Sequence, residues 1–275
     1  TAQPPFIAAM AEDGDFLLAK TPSAFAGLVV TKDNDIPNGF AALVRELERA
    51  KKFGFTASEY ARAKADYLRY LESAYNERSK TRNSQYVNEY VRHFLDNEPI
   101  PGIETEYALM NQIAPNIPLE AINTVLPQII TDENIVINVF GPDKEGVTYP
   151  TEEEILNVLK SVKAEELTAY VDKVSDEPLM KEAPKAGKIV KEENGPFGST
   201  VWTLSNGVRV VIKPTDFKAD QILMRAFSPG GTSLFGTKDA LQLKMLNNVA
   251  GVGGLGNFSN VDLEKVLAGK KASIN

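Results

Sequence analysis

The chain contains no cysteine and only one histidine, His93, among its 275 residues. The absence of cysteine excludes disulfide bonds and metal sites built from thiolates. No apolar run approaches the roughly 18 residues that a membrane-spanning helix needs. The net charge of -7 and the isoelectric point near 5.0 argue against nucleic acid or an anionic membrane as the main partner.

The remaining composition is that of an ordinary globular protein. Hydrophobic residues make up 43% of the chain and charged residues 24%, which is typical of folded domains. At this length the chain can bury two hydrophobic cores rather than one.

The most informative segment is a hairpin signal at Val201–Lys213. Apolar residues recur on both sides of Ser205-Asn206-Gly207, and Asn-Gly suits the two positive-φ positions of a type I′ turn. The second strand is rich in β-branched residues, which favours burial on both of its faces. Gln221–Ser228 predicts a further strand, and Pro229-Gly230-Gly231 predicts the turn that ends it.

This order of signals resembles the opening of a repeat unit in insulinase-type (pitrilysin-like) zinc metallopeptidases. The family hairpin has the pattern leu-x-asn-gly-x-arg-val, followed by a strand and a glycine-containing turn. In the active unit, the next helix carries H-x-x-E-H, whose histidines bind zinc and whose glutamate is the general base. The matching residues here are Leu204, Asn206, Gly207, Arg209, Val210 and Met224–Gly231.

The chain departs from the family at that helix, because one histidine cannot form H-x-x-E-H. We place the corresponding position on Ala240–Leu246, with Leu241 and Met245 at the histidine positions and Lys244 at the glutamate position. Leucine has no lone pair to donate, methionine is a poor zinc ligand and lysine is a cation. The resemblance therefore implies a degenerate unit, and we predict no catalytic residue, no cofactor-binding residue and no metal ligand in this chain.

We predict an α+β fold in which each insulinase-type unit packs an antiparallel sheet against several helices, the second unit being incomplete. Residues 1–173 form a non-catalytic α+β unit like the second unit of the family. Residues 174–199 form an interdomain linker that is rich in Lys, Glu, Pro and Gly. Residues 200–275 form the truncated start of a third, degenerate unit.

Periodicity and capping signals predict the elements of these parts. The capping boxes are Thr56-Ala57-Ser58-Glu59 and Thr151-Glu152-Glu153-Glu154. The predicted strands of the first part are Phe16–Lys20, Phe25–Thr31 and Asn134–Phe140. The predicted helices are Gly39–Phe53, Ala57–Asn76, Asn83–Asp96, Glu104–Ile113, Leu119–Leu126, one after Thr151, and one near Lys238–Val249.

Two further features have a functional and a structural interpretation. A metal role for His93 would need three carboxylates from elsewhere, so we expect an inert histidine. The glycine-rich run Gly251–Gly256 follows a helix rather than a strand and lacks the Lys-Ser/Thr of a phosphate loop. We therefore expect its glycines to permit a positive-φ exit from the helix and a close approach of the chain.

Charged and aromatic clusters also favour structural roles. The acidic groups Glu152–Glu154 and Glu165-Glu166 suit helix N-termini, which attract negative charge. The cations Arg45, Arg49, Lys51 and Lys52 predict a solvated helix face. The tyrosines between Tyr60 and Tyr90 could contact a peptide, but aromatic residues at helical spacing more often belong to the core.

The resemblance implies a central segment of a zinc-dependent metalloendopeptidase that hydrolyses peptides or unfolded proteins. In that interpretation zinc belongs to the parent protein, none is bound here, and this segment forms part of the chamber wall. The alternative is a non-catalytic scaffold or peptide-binding subunit that partners an active chain. Whether H-x-x-E-H precedes Thr1 in the parent protein separates the two. A third hypothesis is a free-standing α+β binding module.

The first and last residues suggest an internal fragment of a longer polypeptide. We expect its partners to be a peptide or unfolded-protein substrate and the remaining domains of the parent chain. Self-association through the truncated unit is a further expectation, whereas nucleic acid and a membrane span are not expected. The compartment is not fixed by the sequence, although the periplasm or cell envelope is favoured over the cytoplasm.

Overall fold

The computed structural model describes residues 4–15, 23–173, 175 and 177–272. The strands are β1 (Ala8–Asp15), β2 (Ser23–Val30), β3 (Ile189–Asn194), β4 (Thr200–Leu204) and β5 (Arg209–Ile212). The helices are α1 (Ile36–Phe53), α2 (Ala57–Asn76), α3 (Asn83–Asp96), α4 (Ile103–Ile113), α5 (Leu119–Ile129), α6 (Glu152–Lys163), α7 (Ala240–Val252) and α8 (Asn260–Val266). Helices combine with two small antiparallel sheets, so the predicted α+β class is confirmed.

The chain divides into two compact units. The first contains Thr1–Ala61 and Asn116–Asp172, and the second contains Arg62–Pro115 and Lys173–Asn275. The division of the sequence into residues 1–173, 174–199 and 200–275 stays a prediction. Strand β3 lies inside the segment predicted as a linker. None of the helices within the described ranges is both long and apolar enough to cross a membrane.

Helix α1 organises the first unit. It packs against β2, α5 and α6, and Leu43 and Leu47 of α1 lie directly over Gly27 of β2. Strands β1 and β2 pair antiparallel, from Ala8 opposite Val30 to Asp15 opposite Ser23. The core of this unit consists of Ala42, Val44, Leu126, Ile130, Ile155 and Val162.

Helix starts follow the capping signals of the sequence. The backbone N–H of Thr151 donates to Glu154 Oε2 at 2.7 Å, and Glu154 N–H donates to Thr151 Oγ1 at 3.3 Å. The same reciprocal pair joins Thr56 and Glu59 at 2.8 and 3.3 Å. Both capping boxes are therefore confirmed, and helices α2 and α3 have the predicted bounds. Helix α5 differs, because it continues through Pro127 to Ile129.

The second unit contains a three-stranded antiparallel sheet in the order β3-β4-β5. The predicted hairpin around Asn206 is confirmed, but its turn is not type I′. Gly207 has φ 84°, whereas Asn206 is outside the positive-φ region. Gly207 N–H donates to Leu204 O at 2.9 Å, and Leu204 N–H donates to Val208 O at 2.9 Å. This is a three-residue loop in which only glycine takes the left-handed conformation.

Ion pairs and hydrogen bonds hold the segment after β5 against α2. The backbone N–H of Asp220 donates to Glu77 Oε1 at 2.7 Å. Arg69 lies 3.1 Å from the Asp220 carboxylate, and Lys218 lies 3.6 Å from Glu77 Oε2. Nearby, Tyr75 stacks on Tyr107 of α4 with ring centroids 4.6 Å apart. These contacts fix the position of residues 218–220 within the second unit.

Two predicted strands are wrong. Asn134–Phe140 and Gln221–Ser228 contain no strand, and no strand pairs with either of them in the described part of the chain. An extended apolar segment becomes a strand only when a neighbour accepts its backbone hydrogen bonds. Ile222 is 95% exposed as a result. The predicted strand Phe16–Lys20 lies outside the described residues, and the strand that pairs with β2 is Ala8–Asp15 instead.

Asp132 joins two helices of the first unit. Its carboxylate accepts hydrogen bonds from Lys163 of α6 at 2.5 Å and from Lys51 of α1 at 2.6 Å. The hydrogen bond from Lys163 has the largest effect and that from Lys51 the second largest. Together they lower the pKa of Asp132 to about 2. The side chain remains 59% exposed, so the two ion pairs stabilise the unit only modestly.

Replacing Ile155 tests the core between α1 and α6. Ile155 is 5% exposed, whereas its neighbour Leu156, an isomer on the same helix, is 40% exposed. We expect Ile155→Ala to lower the free energy of unfolding by about 2–5 kcal/mol, because a buried cavity remains. Leu156→Ala is the matched control and should cost less than half as much. If urea unfolding gave equal losses of stability for Ile155→Ala and Leu156→Ala, Ile155 would not belong to the core between α1 and α6.

Acid should remove the contribution that the ion pairs of Asp132 make to the free energy of unfolding. The folded-state pKa lies below the ordinary value of 3.8, so the ion pairs stabilise above that value and are lost as pH falls toward 2. We expect Asp132→Asn to cost no more than about 1 kcal/mol at neutral pH, with the difference from wild type vanishing near pH 2. Asp33→Asn, which removes an exposed pair with Lys144, is the control. If Asp132→Asn remained less stable than wild type by the same amount near pH 2, the ion pairs of Asp132 would not be the cause of the difference.

Candidate functional site

The position that we predict for the family zinc motif, Ala240–Leu246, lies at the start of α7. Helix α7 begins at Ala240, so Leu241 and Met245 stand four residues apart and project from one helix face. Both side chains are exposed. Asn260 donates to the carbonyl of Gly251 at 2.9 Å and thereby satisfies an orphan acceptor near the end of α7.

The side chains of α7 do not fit zinc. A pair of histidines four residues apart on one helix face would offer two imidazole nitrogens, but Leu241 offers no donor and Met245 only a thioether. Lys244 stands where the family has a glutamate, and it has no acceptor for a proton from water. In the ranges that the structure describes, no group of three or more histidine, aspartate or glutamate side chains is placed to hold a metal ion.

His93 lies on α3 and has a structural contact. Its Nδ1 lies 2.8 Å from the backbone carbonyl oxygen of Glu98. Because a carbonyl oxygen can only accept, this nitrogen donates the hydrogen bond. The neighbouring Arg92 contacts the Glu98 carboxylate at 2.7 Å. Together these two side chains fix the turn that follows α3.

The acidic clusters act as caps and ion-pair partners. The pKa of Glu154 is lowered by the hydrogen bonds that its carboxylate accepts from the backbone and side chain of Thr151. Glu165 accepts two hydrogen bonds from Arg45, at 2.6 and 2.8 Å, and this contact lowers the pKa of Glu165. These carboxylates are therefore engaged in stabilising the first unit rather than gathered around a metal or a substrate.

The prediction of a simply solvated basic face on α1 is wrong for three of its four cations. Arg45 binds Glu165, Lys51 binds Asp132 and Arg49 lies 2.6 Å from Glu46. The partners of Arg45 and Lys51 come from segments far along the chain, which sequence spacing cannot reveal. Arg45 and Lys51 therefore tie α1 to residues that surround it, whereas Arg49 pairs within the helix.

The glycine-rich segment after α7 makes the close chain approach that its sequence predicts. A Cβ on Gly254, whose φ is +81°, would lie 2.0 Å from the carbonyl oxygen of Phe258. Leu255 and Phe258 form an isolated antiparallel bridge there. The segment is thus a tight turn that leads into α8.

The tyrosines of α2 and α3 belong to the core less often than predicted. Tyr75 is partly buried in its stack on Tyr107, but Tyr70, Tyr86 and Tyr90 are exposed. None of the residues of α3 is buried. The apolar face of α3 is therefore largely exposed among the described residues.

The sequence analysis missed the turn between β3 and β4. Phe197 has φ 57° and ψ 28°, a left-handed conformation that is uncommon for an aromatic residue, and its side chain is 91% exposed. Gly195 N–H donates to Ser199 O at 2.7 Å, and the buried Ser199 hydroxyl donates to Pro196 O at 2.8 Å. Lys213 donates to the carbonyl of Phe197. The sequence signal for this turn was the run Pro196-Phe197-Gly198, because proline and glycine favour turns.

Comparisons with known proteins identify the relatives of the chain. No family model matches it. The zinc protease PQQL-like of Arabidopsis thaliana is 31% identical over 222 residues, which cover 80% of this chain and 23% of that protein. The probable zinc protease PqqL of Escherichia coli (strain K12) is 22% identical over 241 residues, which cover 86% of this chain and 26% of that protein.

A solved structure is also similar. The crystal structure of the periplasmic protease PqqL from Escherichia coli aligns with a TM-score of 0.48 and 20% identity, over 95% of this chain and 29% of that chain. The chain spans about a quarter of the length of the curated relatives that it matches. The homologues that cover most of this chain are therefore zinc proteases, in agreement with the resemblance to the insulinase-type family.

Proposed function

We propose that this chain is a central, non-catalytic segment of a zinc-dependent metalloendopeptidase. The parent protein hydrolyses peptides or unfolded proteins, and this segment forms part of the wall of the chamber that holds them. Zinc would lower the pKa of its bound water and polarise the peptide carbonyl. The groups that hold zinc would come from outside these residues.

One observation carries this proposal: the side chains at the start of α7. The position that we assign to the zinc motif lies on a helix, and in that assignment Leu241, Lys244 and Met245 replace the two histidines and the glutamate. The backbone there could present ligands, and only the side-chain chemistry is wrong for zinc. A role in enclosing or positioning a substrate needs no such ligands.

The alternative is a non-catalytic scaffold or peptide-binding subunit that partners an active chain of the same family. Both interpretations give this segment the same chemistry. They differ in whether H-x-x-E-H stands in the residues that precede Thr1 in the parent protein. The coding sequence upstream of Thr1 decides between them directly.

The hypothesis of a free-standing binding module is less well supported. A stable module should cover its apolar surface. Residues 221–228 are exposed and unpaired in the second unit, with Ile222, Leu223, Met224 and Phe227 all highly exposed. This surface favours a segment that other parts of a longer protein, or partner molecules, cover.

We further propose a periplasmic or cell-envelope location and a peptide or unfolded protein as substrate. The names of the relatives support a protease. The other domains of the parent chain would be its constant partners, and self-association through the truncated unit, residues 200–275, would occur when they are absent. Zinc would be a cofactor of the parent protein and not a ligand of these residues.

The proposal predicts that the purified chain does not hydrolyse peptides. An unstructured fluorogenic peptide would be incubated with the chain and excess zinc, and the Escherichia coli relative would serve as the positive control. We expect no turnover above background, because no imidazole pair is available to hold the metal that activates water.

Hydrolysis that purifies with the chain and stops on chelation would contradict the proposal. The triple variant L241H/K244E/M245H restores the spacing of H-x-x-E-H on α7 and is a useful second control. Zinc binding gained by this variant would show that side-chain identity, rather than the fold of α7, limits the wild-type chain.

A further inference from the structure

The turn between β3 and β4 holds one aromatic side chain in solvent. Phe197 takes a left-handed conformation, which L-residues with a Cβ adopt at a cost. The turn is fixed by hydrogen bonds of Ser199 on one side and of Lys213 on the other. The ring gains no burial in return, since it is 91% exposed. A turn with glycine at this position would relieve the conformational cost, so the aromatic ring itself requires an explanation.

The residues around this turn are basic in an acidic protein. Residues 181–213 contain six cations and three acidic residues, a net charge of +3, whereas the whole chain has -7. Glu192 accepts a hydrogen bond from Trp202 Nε1 at 2.9 Å, and Glu193 pairs with Lys191 at 2.8 Å. In the described residues no carboxylate pairs with Lys188, Arg209 or Lys213, so the positive charge of the sheet is only partly compensated.

Lys213 places one of these charges directly at the turn. Its ammonium donates to the carbonyl oxygen of Phe197, and a Cβ on Gly198 would lie 3.4 Å from its Nζ. An ammonium has three donors, so two remain for another acceptor. The available donors therefore lie at the backbone of the residue that exposes its ring.

We propose that Phe197 and Lys213 form an anchor for a peptide segment in which a carboxylate neighbours a large apolar side chain. The apolar side chain packs on the Phe197 ring, and the carboxylate binds the Lys213 ammonium in a charge-assisted hydrogen bond. Hydrogen bonds hold the turn before binding, which reduces the conformational entropy lost on association. The identification of this peptide as a substrate rests on the proposed function.

Peptide binding to the complete chain tests the anchor. Three short labelled peptides share a Gly-Ser background: one contains Leu flanked by Asp, one contains Leu flanked by Lys, and one contains Ser flanked by Asp. We expect fluorescence anisotropy to give the tightest binding for the first, and about tenfold weaker binding for each of the others. Raising salt from about 0.1 M to about 1 M shortens the Debye length from about 10 to about 3 Å and should weaken the first complex.

Variants separate binding from folding. Phe197→Gly should bind the Asp-Leu peptide about tenfold more weakly, yet unfold at a higher urea concentration, because glycine relieves the left-handed strain. Phe197→Ala should lose the same binding. Phe140→Ala, which removes another highly exposed ring from the first unit (87% exposed), is the matched control and should leave binding unchanged.

Three results would overturn the anchor: equal affinity for the three peptides, unchanged affinity in Phe197→Gly, or a dimer that Phe197→Ala dissociates while no peptide binds. The last result would assign the ring to a second copy of the chain. None of them bears on the proposed non-catalytic role, which the hydrolysis assay tests separately.

Discussion

Backbone hydrogen bonding between strands is the constraint on which both units depend. Strands form where a turn or a nearby segment brings a partner alongside, as in β1-β2 and β3-β4-β5. Where no partner reaches, an apolar segment such as Gln221–Ser228 stays extended and exposed. A helix satisfies most of its backbone hydrogen bonds internally and therefore needs no neighbouring strand. This difference explains why helices form throughout the described residues while much apolar surface remains exposed.

Local signals in the sequence predicted local structure well. The capping boxes at Thr56 and Thr151 mark helix starts correctly, because their donors and acceptors lie within four residues. The hairpin at Asn206 was also found, although Gly207 alone has positive φ. Features that need distant partners were not predictable. The failure of Asn134–Phe140 to form a strand and the ion pairs of Asp132 depend on residues whose proximity no spacing rule provides.

The candidate site also has features that the sequence alone predicts and features that only the structure shows. Side-chain chemistry could be judged from sequence: one histidine in the whole chain rules out an imidazole pair, whatever the fold. The structure adds that Leu241 and Met245 lie four residues apart on one face of helix α7. Under the proposed function, the contribution of this chain is recognition and enclosure, for which the exposed Phe197 ring and Lys213 in a basic sheet would provide one specific means. The charge pattern was present in the sequence, but only the turn geometry connects it to Phe197.

The central claim is that these residues cannot hold a catalytic zinc ion. Equilibrium dialysis of the purified chain against zinc, with elemental analysis of the retained metal and a weak competing chelator in the buffer, tests it most directly. The account predicts no stoichiometric retention, since the side chains of α7 offer no imidazole. One zinc ion held per chain, and lost on substitution of residues within α7, would contradict it.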